Sequence, residues 1–312
     1  MNEIKQKRIK PKIDKGDMIF YCVFLAWPVL QFCIYYIGVN FNSILMSFKW
    51  FDTDTREMSY SFKQYGEIFK WMGTDEFKSL LTVSLKSFLI TTVISVPLGL
   101  LFAYYIFKKL PGWGAFRVIL FLPKIISGVV IALIFRWFLE EYVPFILPSV
   151  GNLLDTGGKL EKNIFPVLMF YNIWVGFGTT VLMYSNKMSS ISDEIIESAH
   201  LDGATGFKEF WYIVLPLTYS TLSVFLITGV ATVFVGQFGA YEFYPFGTPA
   251  EIKSIGYYFF VNVKGAFANI VDPQNTAAIY KYAALGIILT FITIPVAFTV
   301  RWALEKFGPS ED

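Results

Sequence analysis

The sequence predicts an all-α polytopic membrane protein with six transmembrane helices. Of its 312 residues, 55% are hydrophobic and only 16% are charged, and the apolar residues form long runs. Soluble domains of this length carry more charge, and runs of about 20 apolar residues are long enough to cross a bilayer. Backbone groups in lipid must be hydrogen-bonded within the segment, so the runs are helices. The spans are predicted at about residues 18–40, 80–107, 116–139, 164–185, 213–237 and 281–303.

The first run follows a basic segment that ends at Lys15. A basic segment before an apolar run also occurs in signal peptides, but no small-residue cleavage site follows this run. We therefore expect an uncleaved first span. Residues 1–17 are predicted to be a basic cytoplasmic tail, 18–307 a single transmembrane domain, and 308–312 a second cytoplasmic tail.

The distribution of Lys and Arg predicts the orientation. With the N-terminus inside, inner and outer segments carry nearly equal numbers of basic residues. The dense, short clusters lie on the inner side, however, for example Lys108, Lys109 and Arg117 after the second span. Short clusters near span ends dominate the positive-inside rule. Both termini are therefore predicted to be cytoplasmic, and the protein is predicted to be multi-pass in a cytoplasmic membrane.

All six predicted spans have a proline within them or at an end, which neighbouring helices of a bundle can tolerate. Aromatic residues near span ends suit the membrane interface, for example Trp137 and Tyr142 after the third span. The outer loops after spans one and five are about 40 residues long. The prolines in or at the ends of spans are Pro28, Pro97, Pro123, Pro166, Pro216 and Pro295.

A polar loop at about 190–216 separates spans four and five. Ser190 and Ser192 precede two acidic residues, which is typical of a helix start. Gly203 allows a backbone bend that other residues disfavour. We therefore expect a first helix, a bend and a second short helix at about Thr205 to Tyr212, lying across the membrane face. The apolar face of the first helix is predicted to contain Ile195, Ile196 and Ala199.

This loop resembles the EAA loop of permease subunits of binding-protein-dependent ABC importers, with the pattern E-A-A-x-x-D-G-A-x5-F-x-x-I-x-L-P. The chain departs from the pattern only at Ser198, which is also small. Weaker similarities extend over nearly the whole chain, and they are greatest to the sugar and oligosaccharide branch, the maltose type. The matching residues named as coupling residues are Glu197, Ser198, Ala199, Asp202, Gly203, Ala204, Ile213, Leu215 and Pro216.

The resemblance implies the partners and the source of energy. In the family, this loop is a coupling helix that docks in a cleft of an ATPase subunit, where its acidic residue pairs with a basic one. Glu197 would take that role. The implied partners are a second permease, two ABC ATPase subunits, an extracytoplasmic solute-binding protein, a carbohydrate and membrane lipid. No cofactor is expected in this chain, because ATP and Mg would be bound by the ATPase subunits.

The resemblance also implies a solute site midway along spans three, four and five. Sugar recognition uses aromatic faces for ring C–H groups and amides or hydroxyls for sugar hydroxyls. For any one aromatic residue, packing or lipid contact is the alternative role. The candidates are Lys124, Gly128, Gly176, Phe177, Thr179, Phe234, Gln237 and Tyr241.

Lys124 has two interpretations. A charge inside a span is a candidate functional residue, and a lysine facing the solute path would suit an acidic sugar, such as a uronic acid. Alternatively, its side chain extends to the cytoplasmic headgroups, since it lies about two turns inside the span. The same snorkelling is expected of Lys86 and Arg136.

Other functional classes lack support in the sequence. Coupled secondary transporters and channels usually carry acidic residues in mid-span, and these spans are almost free of Asp and Glu. HExxH, GxSxG and GxxxxGK[ST] do not occur, which argues against an intramembrane enzyme or an ATPase. Cys22, Cys33 and the lone His200 form no metal-binding pattern, and no basic stripe indicates nucleic-acid binding. A permease for another solute, or the half of a sugar permease pair that does not bind the ligand, stays open.

Overall fold

The fold was analysed in a computed structural model that describes residues 15–52, 55–146, 164–244, 248–269 and 272–309. Most of the basic tail, residues 310–312, and the outer loop at 147–163 lie outside these ranges. In the described part, a bundle of long helices carries one small antiparallel hairpin. The predicted all-α membrane class is confirmed.

The first span is one long helix, α1, which contains a π-helical stretch at Phe32–Gly38. None of the residues in its most apolar 18-residue stretch is buried within the chain. A hairpin follows in which Lys49 pairs with Tyr60, and a short helix then leads to the second span. The elements are α1 (Lys15–Ser47), β1 (Lys49–Phe51), β2 (Met58–Tyr60) and α2 (Lys63–Met72).

Three further spans are continuous helices, and two are broken. Counting each bent pair as one span gives six. The continuous helices are α3 (Asp75–Phe107), α6 (Ile164–Met188) and α12 (Pro273–Phe307). The broken spans are α4 (Trp113–Ile125) with α5 (Gly128–Ile146), bent by 104°, and α8 (Phe207–Leu217) with α9 (Tyr219–Ala231), bent by 64°.

The breaks correct the predictions of continuous helices at 116–139 and 213–237. In span three, Ile126 and Ser127 adopt extended backbone angles three residues after Pro123. In span five, the break lies at Thr218, whose backbone N–H and hydroxyl both donate to the carbonyl of Val214, at 3.0 and 2.9 Å. The helix then ends at Ala231 rather than at residue 237.

The long outer loop predicted after span five is mostly folded into the bundle. It contains α10 (Ala240–Phe243), a 3₁₀ turn (Ala250–Ile252) and α11 (Ile255–Ala268). The hydroxyl of Ser84 on α3 accepts a hydrogen bond from the Ile255 backbone N–H at 2.8 Å. Helix α11 also packs along α12.

The inner half of the bundle has its own apolar core, which positions the polar loop. Helix α6 contributes the fully buried Tyr184 and Met188, at helical spacing. Phe210 and Val214 of α8 complete this inner core. The loop before α8 is thereby held against α3 and α6. Helix α3 supplies Leu100, Ala103 and Ile106 to the same core.

Candidate functional site

The polar loop contains the helix expected at its start, α7 (Asp193–Leu201). Ser192 is the N-cap residue and has extended backbone angles, but its side chain makes no capping hydrogen bond. The start is therefore supported by Asp193 and Glu194 in the first turn, where negative charge suits the helix dipole. We call α7 the coupling helix.

The coupling helix has an inner and an outer face. Ala199 is buried and Ile196 packs against the inner core, as predicted. Ile195, which we expected on the same face, is exposed instead. Because α-helical neighbours recur at three and four residues, the outward stripe contains Glu194, Glu197, Ser198 and Leu201, and all four are exposed.

Two glycines shape the turn after the coupling helix. Gly203 has a φ of +79°, and the N–H of Ala204 closes the helix on the carbonyl of Ala199 at 2.8 Å. The bend expected at Gly203 is therefore present. Gly206 has a φ of +56°, also in the left-handed region. The second helix consequently begins at Phe207, not at Thr205, and it runs on to Leu217.

The pattern residues at the end of the loop are half-buried, whereas Val214 between them is fully buried. The side of the loop that faces away from the bundle has exposed apolar residues. Leu201 is 89% exposed and Phe207 is 70% exposed. The Phe207 ring stacks on that of Trp211, with centroids 6.0 Å apart. Exposed aromatic surface on a loop is typical of a contact with a protein or a membrane. The half-buried pattern residues are Ile213, Leu215 and Pro216.

A buried carboxylate joins the loop to span two. Glu209 on α8 is completely buried, and both of its oxygens lie 3.0 Å from Nζ of Lys108, which follows α3. Its Oε2 lies 2.6 Å from Nε2 of His200 on the coupling helix. The Tyr104 hydroxyl on α3 also donates to the Gly206 carbonyl at 3.0 Å. Three elements therefore meet at one carboxylate.

The solute candidates on span three lie at its break. Lys124 is in the last turn of α4, is exposed, and has no ion-pair partner among the described residues. It lies 11 residues after Trp113, or about 16 Å along the helix. Gly128 begins α5, and its carbonyl accepts a hydrogen bond from the Tyr171 hydroxyl at 3.2 Å.

The candidates on span four separate into different environments. A side chain at Gly176 would meet open space. Thr179 is partly exposed, and its buried Oγ1 has no hydrogen-bond partner in the described structure. Phe177 is buried in the inner core, where its ring packs edge-on against Phe102 at 5.2 Å. The structure places this ring in the helix packing, and the assignment of Phe177 to a solute site stays a prediction.

The candidates after span five lie around one cavity. Phe234 and Gln237 line a cavity of 480 Å³ between α9, α11 and α12. Tyr241 contacts Phe260 of the same cavity wall, with ring centroids 4.9 Å apart, and its hydroxyl accepts a hydrogen bond from Lys264. The eight candidates therefore do not form one pocket, although α10 connects the cavity to the break in span three.

Comparison with known proteins decides the family. The sequence profile of the family described as binding-protein-dependent transport system inner membrane component matches residues 95–310, about two thirds of the chain. The chain belongs to this family. Its membership makes it a multi-pass inner-membrane permease.

Two related sequences show the degree of similarity. The permease is 30% identical over 233 residues to the Probable ABC transporter permease protein YurN of Bacillus subtilis, covering 71% of this chain and 78% of that protein. It is 26% identical over 213 residues to the Multiple sugar-binding transport system permease protein MsmF of Streptococcus mutans, covering 65% and 70%.

A solved structure shares the fold. It is a bacterial ABC transporter involved in the import of the acidic polysaccharide alginate. The match has a TM-score of 0.70 at 21% identity, and it covers 94% of the permease and 97% of the other chain.

Glu242 is a polar residue of the permease that sequence reasoning missed. It lies on α10, beyond the predicted end of span five, and its Oε2 is buried without a partner in the described structure. Its Cγ lies 3.9 Å from where a Cβ of Gly128 would be. No local pattern indicates this position, because the return of α10 to span three is a tertiary feature.

Arg136 behaves differently from the expected snorkelling. Its Nε lies 2.7 Å from the Glu140 carboxylate, and its guanidinium lies over the Tyr244 ring at 5.1 Å. Nη1 also donates to the Phe243 carbonyl at 3.4 Å. Arg136 therefore connects α5 to α10 within the protein.

Proposed function

We propose that the permease is the transmembrane subunit of an ATP-driven ABC importer for an oligosaccharide, delivered by an extracytoplasmic binding protein. The family membership and the sugar-system relative MsmF support this substrate class. A further relative, the Arabinooligosaccharides transport system permease protein AraP of Halalkalibacterium halodurans, is 25% identical over 238 residues. The proposed orientation places both termini and the coupling helix in the cytoplasm.

The single observation that carries the mechanism is the coupling helix with its exposed outer stripe. Glu197 and Leu201 project from a helix whose other face is packed on the bundle. A separate ATPase subunit that binds this stripe can move the packed bundle as a rigid body when its nucleotide domains close. The permease would hydrolyse nothing itself and would pair with a second permease above two ATPase subunits.

We place the solute near the break in span three. A broken helix inside a membrane exposes backbone groups that a solute or polar side chain can use. Lys124, Gly128 and Glu242 lie at or beside the break. Tyr241 of α10 and Gln237, which precedes α10, lie at the neighbouring cavity. Lys124 favours an acidic sugar, since it is a cation beside the break with no ion-pair partner in the described structure.

The experiment is reconstitution of the permease with its partner permease, ATPase subunits and binding protein. ATP hydrolysis is measured with the binding protein loaded with neutral maltotetraose or acidic tetragalacturonate. Stimulation by the acidic probe alone supports Lys124 as a ligand contact, and stimulation by the neutral probe alone returns Lys124 to an interfacial role. No stimulation by either probe would contradict the oligosaccharide assignment.

A further inference from the structure

We propose that Glu209 is a positioning residue that joins the coupling helix and the inner end of α3 into one moving body. This inference rests on the proposed function, because it concerns how force applied to the coupling helix reaches a span. It uses the buried carboxylate of Glu209 and its two partly exposed partners, Lys108 and His200, none of which belongs to the outward stripe of the coupling helix.

The first argument is that the cluster spans three separate elements. Lys108 follows α3, His200 is on the coupling helix, and Glu209 is on α8, with distances of 3.0 Å and 2.6 Å to the carboxylate. Lys108 and Glu209 are 101 residues apart in sequence. A single carboxylate thus fixes the coupling helix relative to span two and span five.

The second argument is the free-energy cost of a buried carboxylate that has lost its partners. Glu209 is 0% exposed, and a buried charge is strongly unfavourable unless it is paired and hydrogen-bonded. Moving the coupling helix away from α3 would separate Glu209 from Lys108 or His200. The low-energy motion therefore keeps the three elements together. The Tyr104 bond to the Gly206 carbonyl adds a second tie at the same place.

The third argument is that α3 makes contacts in both the inner and the outer half of the bundle. This helix has 33 residues and packs along α6 through the inner core. Nearer its outer end, Ser84 accepts the hydrogen bond from the start of α11, beside the cavity that Gln237 lines. A displacement of the coupling helix that also moves α3 would therefore be passed to the outer half of the bundle.

The decisive measurement is the number of solute molecules taken up per ATP hydrolysed. It is made in proteoliposomes containing the full complex, with whichever of maltotetraose and tetragalacturonate drives uptake by wild type. Glu209→Gln keeps the shape of the side chain and removes its charge. We expect ATP hydrolysis to continue while the uptake-to-hydrolysis ratio falls about tenfold. An unchanged ratio would overturn the proposal.

A matched control is the exposed ion pair between Arg301 and Glu305, whose Nε and Oε1 are 2.7 Å apart near the inner end of α12. Glu305→Gln removes an ion pair on the same side of the membrane, and we expect it to keep the wild-type ratio. An equal fall in both variants would overturn a specific role for Glu209.

Lys108 provides a second route if Glu209→Gln does not insert. Lys108 is partly exposed, so its replacement is easier to accommodate. Lys108→Met is expected to lower the ratio and the conservative Lys108→Arg to keep it. Equal ratios in these two variants would overturn the proposal.

A spectroscopic measurement separates this inference from the transport assignment. Spin labels at Asp193→Cys on the coupling helix and Leu101→Cys on α3 are placed in full-length permease lacking Cys22 and Cys33, in lipid nanodiscs. We expect a narrow distance distribution that Glu209→Gln broadens. An unchanged width overturns the positioning role even if neither sugar is transported, whereas broadening without sugar uptake contradicts only the oligosaccharide assignment.

Discussion

Two glycines on α6 have opposite surroundings although they are only two residues apart. A Cβ on Gly178 would lie 2.7 Å from the Cα of Phe121 on α4, whereas one on Gly176 would meet nothing within 4 Å. Backbone atoms cannot move aside as side chains can. At this crossing, glycine is required by the close approach of two helices.

We therefore expect Gly178→Ala to destabilise the permease by about 1–3 kcal/mol, as is typical of overpacking. Gly176→Ala is the control, and it should be neutral or slightly stabilising because alanine favours the helix. The measurement is the thermal unfolding temperature of the purified permease in detergent. Equal losses in both variants would contradict the close contact between α4 and α6.

Lys124 permits a test of the charge of the solute. Lys124→Met should lower uptake of tetragalacturonate by about tenfold or more, since hydrogen bonds to charged groups are worth about 1.5–3 kcal/mol. Uptake of maltotetraose should be spared. Arg117→Met, two turns nearer the start of α4, is the control for general loss of charge. Equal uptake of both sugars by Lys124→Met would discard the ligand role.

Single residues also show which structural features could be predicted from the sequence. The bend at Gly203 was predictable because a left-handed turn after a short helix has a local pattern. The burial of Phe177 in the inner core was not predictable, because an aromatic residue in a span gives no sign of whether it faces solute or core. The cluster around Glu209 was missed because Lys108 is 101 residues from Glu209 in sequence.

At the scale of elements, the coupling helix is short and is held by one face only. Its nine residues are too few to be stable alone, so its position depends on Ile196, Ala199 and the packing of α8. The existence and approximate position of this helix were predictable from its acidic start and the glycine turn. Which apolar residues face inward was only partly predictable, as the exposed Ile195 shows.

Two substitutions should uncouple transport and leave the permease inserted. Glu197→Lys reverses the charge of the exposed stripe. Gly203→Asp places a side chain where φ is +79°, at a cost of about 1–2 kcal/mol. Membrane insertion is measured by fractionation, and ATP-driven uptake by filtration of proteoliposomes.

Asn186→Lys is the control for this pair, because it adds a positive charge at an exposed position on the inner end of α6, outside the coupling helix. It should retain uptake. Normal uptake by both Glu197→Lys and Gly203→Asp would refute the assignment of this loop to ATPase coupling.

Broken spans mark the limit of prediction at this scale. Hydropathy predicted the approximate positions of six spans, with each bent pair counted as one span, because apolar length is a property of sequence alone. The 104° bend after Ile125 was not predictable: Pro123 is compatible with a kinked helix, and the actual direction of α5 depends on its packing against α10.

At the scale of the whole molecule, the bundle has buried apolar clusters at its centre, whereas the first span is exposed. The apolar window of α1 is not buried within the chain, and α1 contacts the rest through its last turns against α12. In the described part of the chain, the segments after spans one and five, expected to be outer loops, contain helices α2 and α11. Their packing depends on contacts with α3 and α12 that the sequence pattern does not encode locally.

The central claim is that this permease carries an oligosaccharide across the membrane with energy supplied by separate ATPase subunits. Its most direct test is uptake of labelled maltotetraose and tetragalacturonate into proteoliposomes, with each protein of the complex omitted in turn. We predict ATP-dependent uptake of one of these sugars that is lost when the ATPase subunits, the binding protein or this permease is left out. Uptake that persists without the ATPase subunits, or that responds to an ion gradient instead of ATP, would contradict the claim.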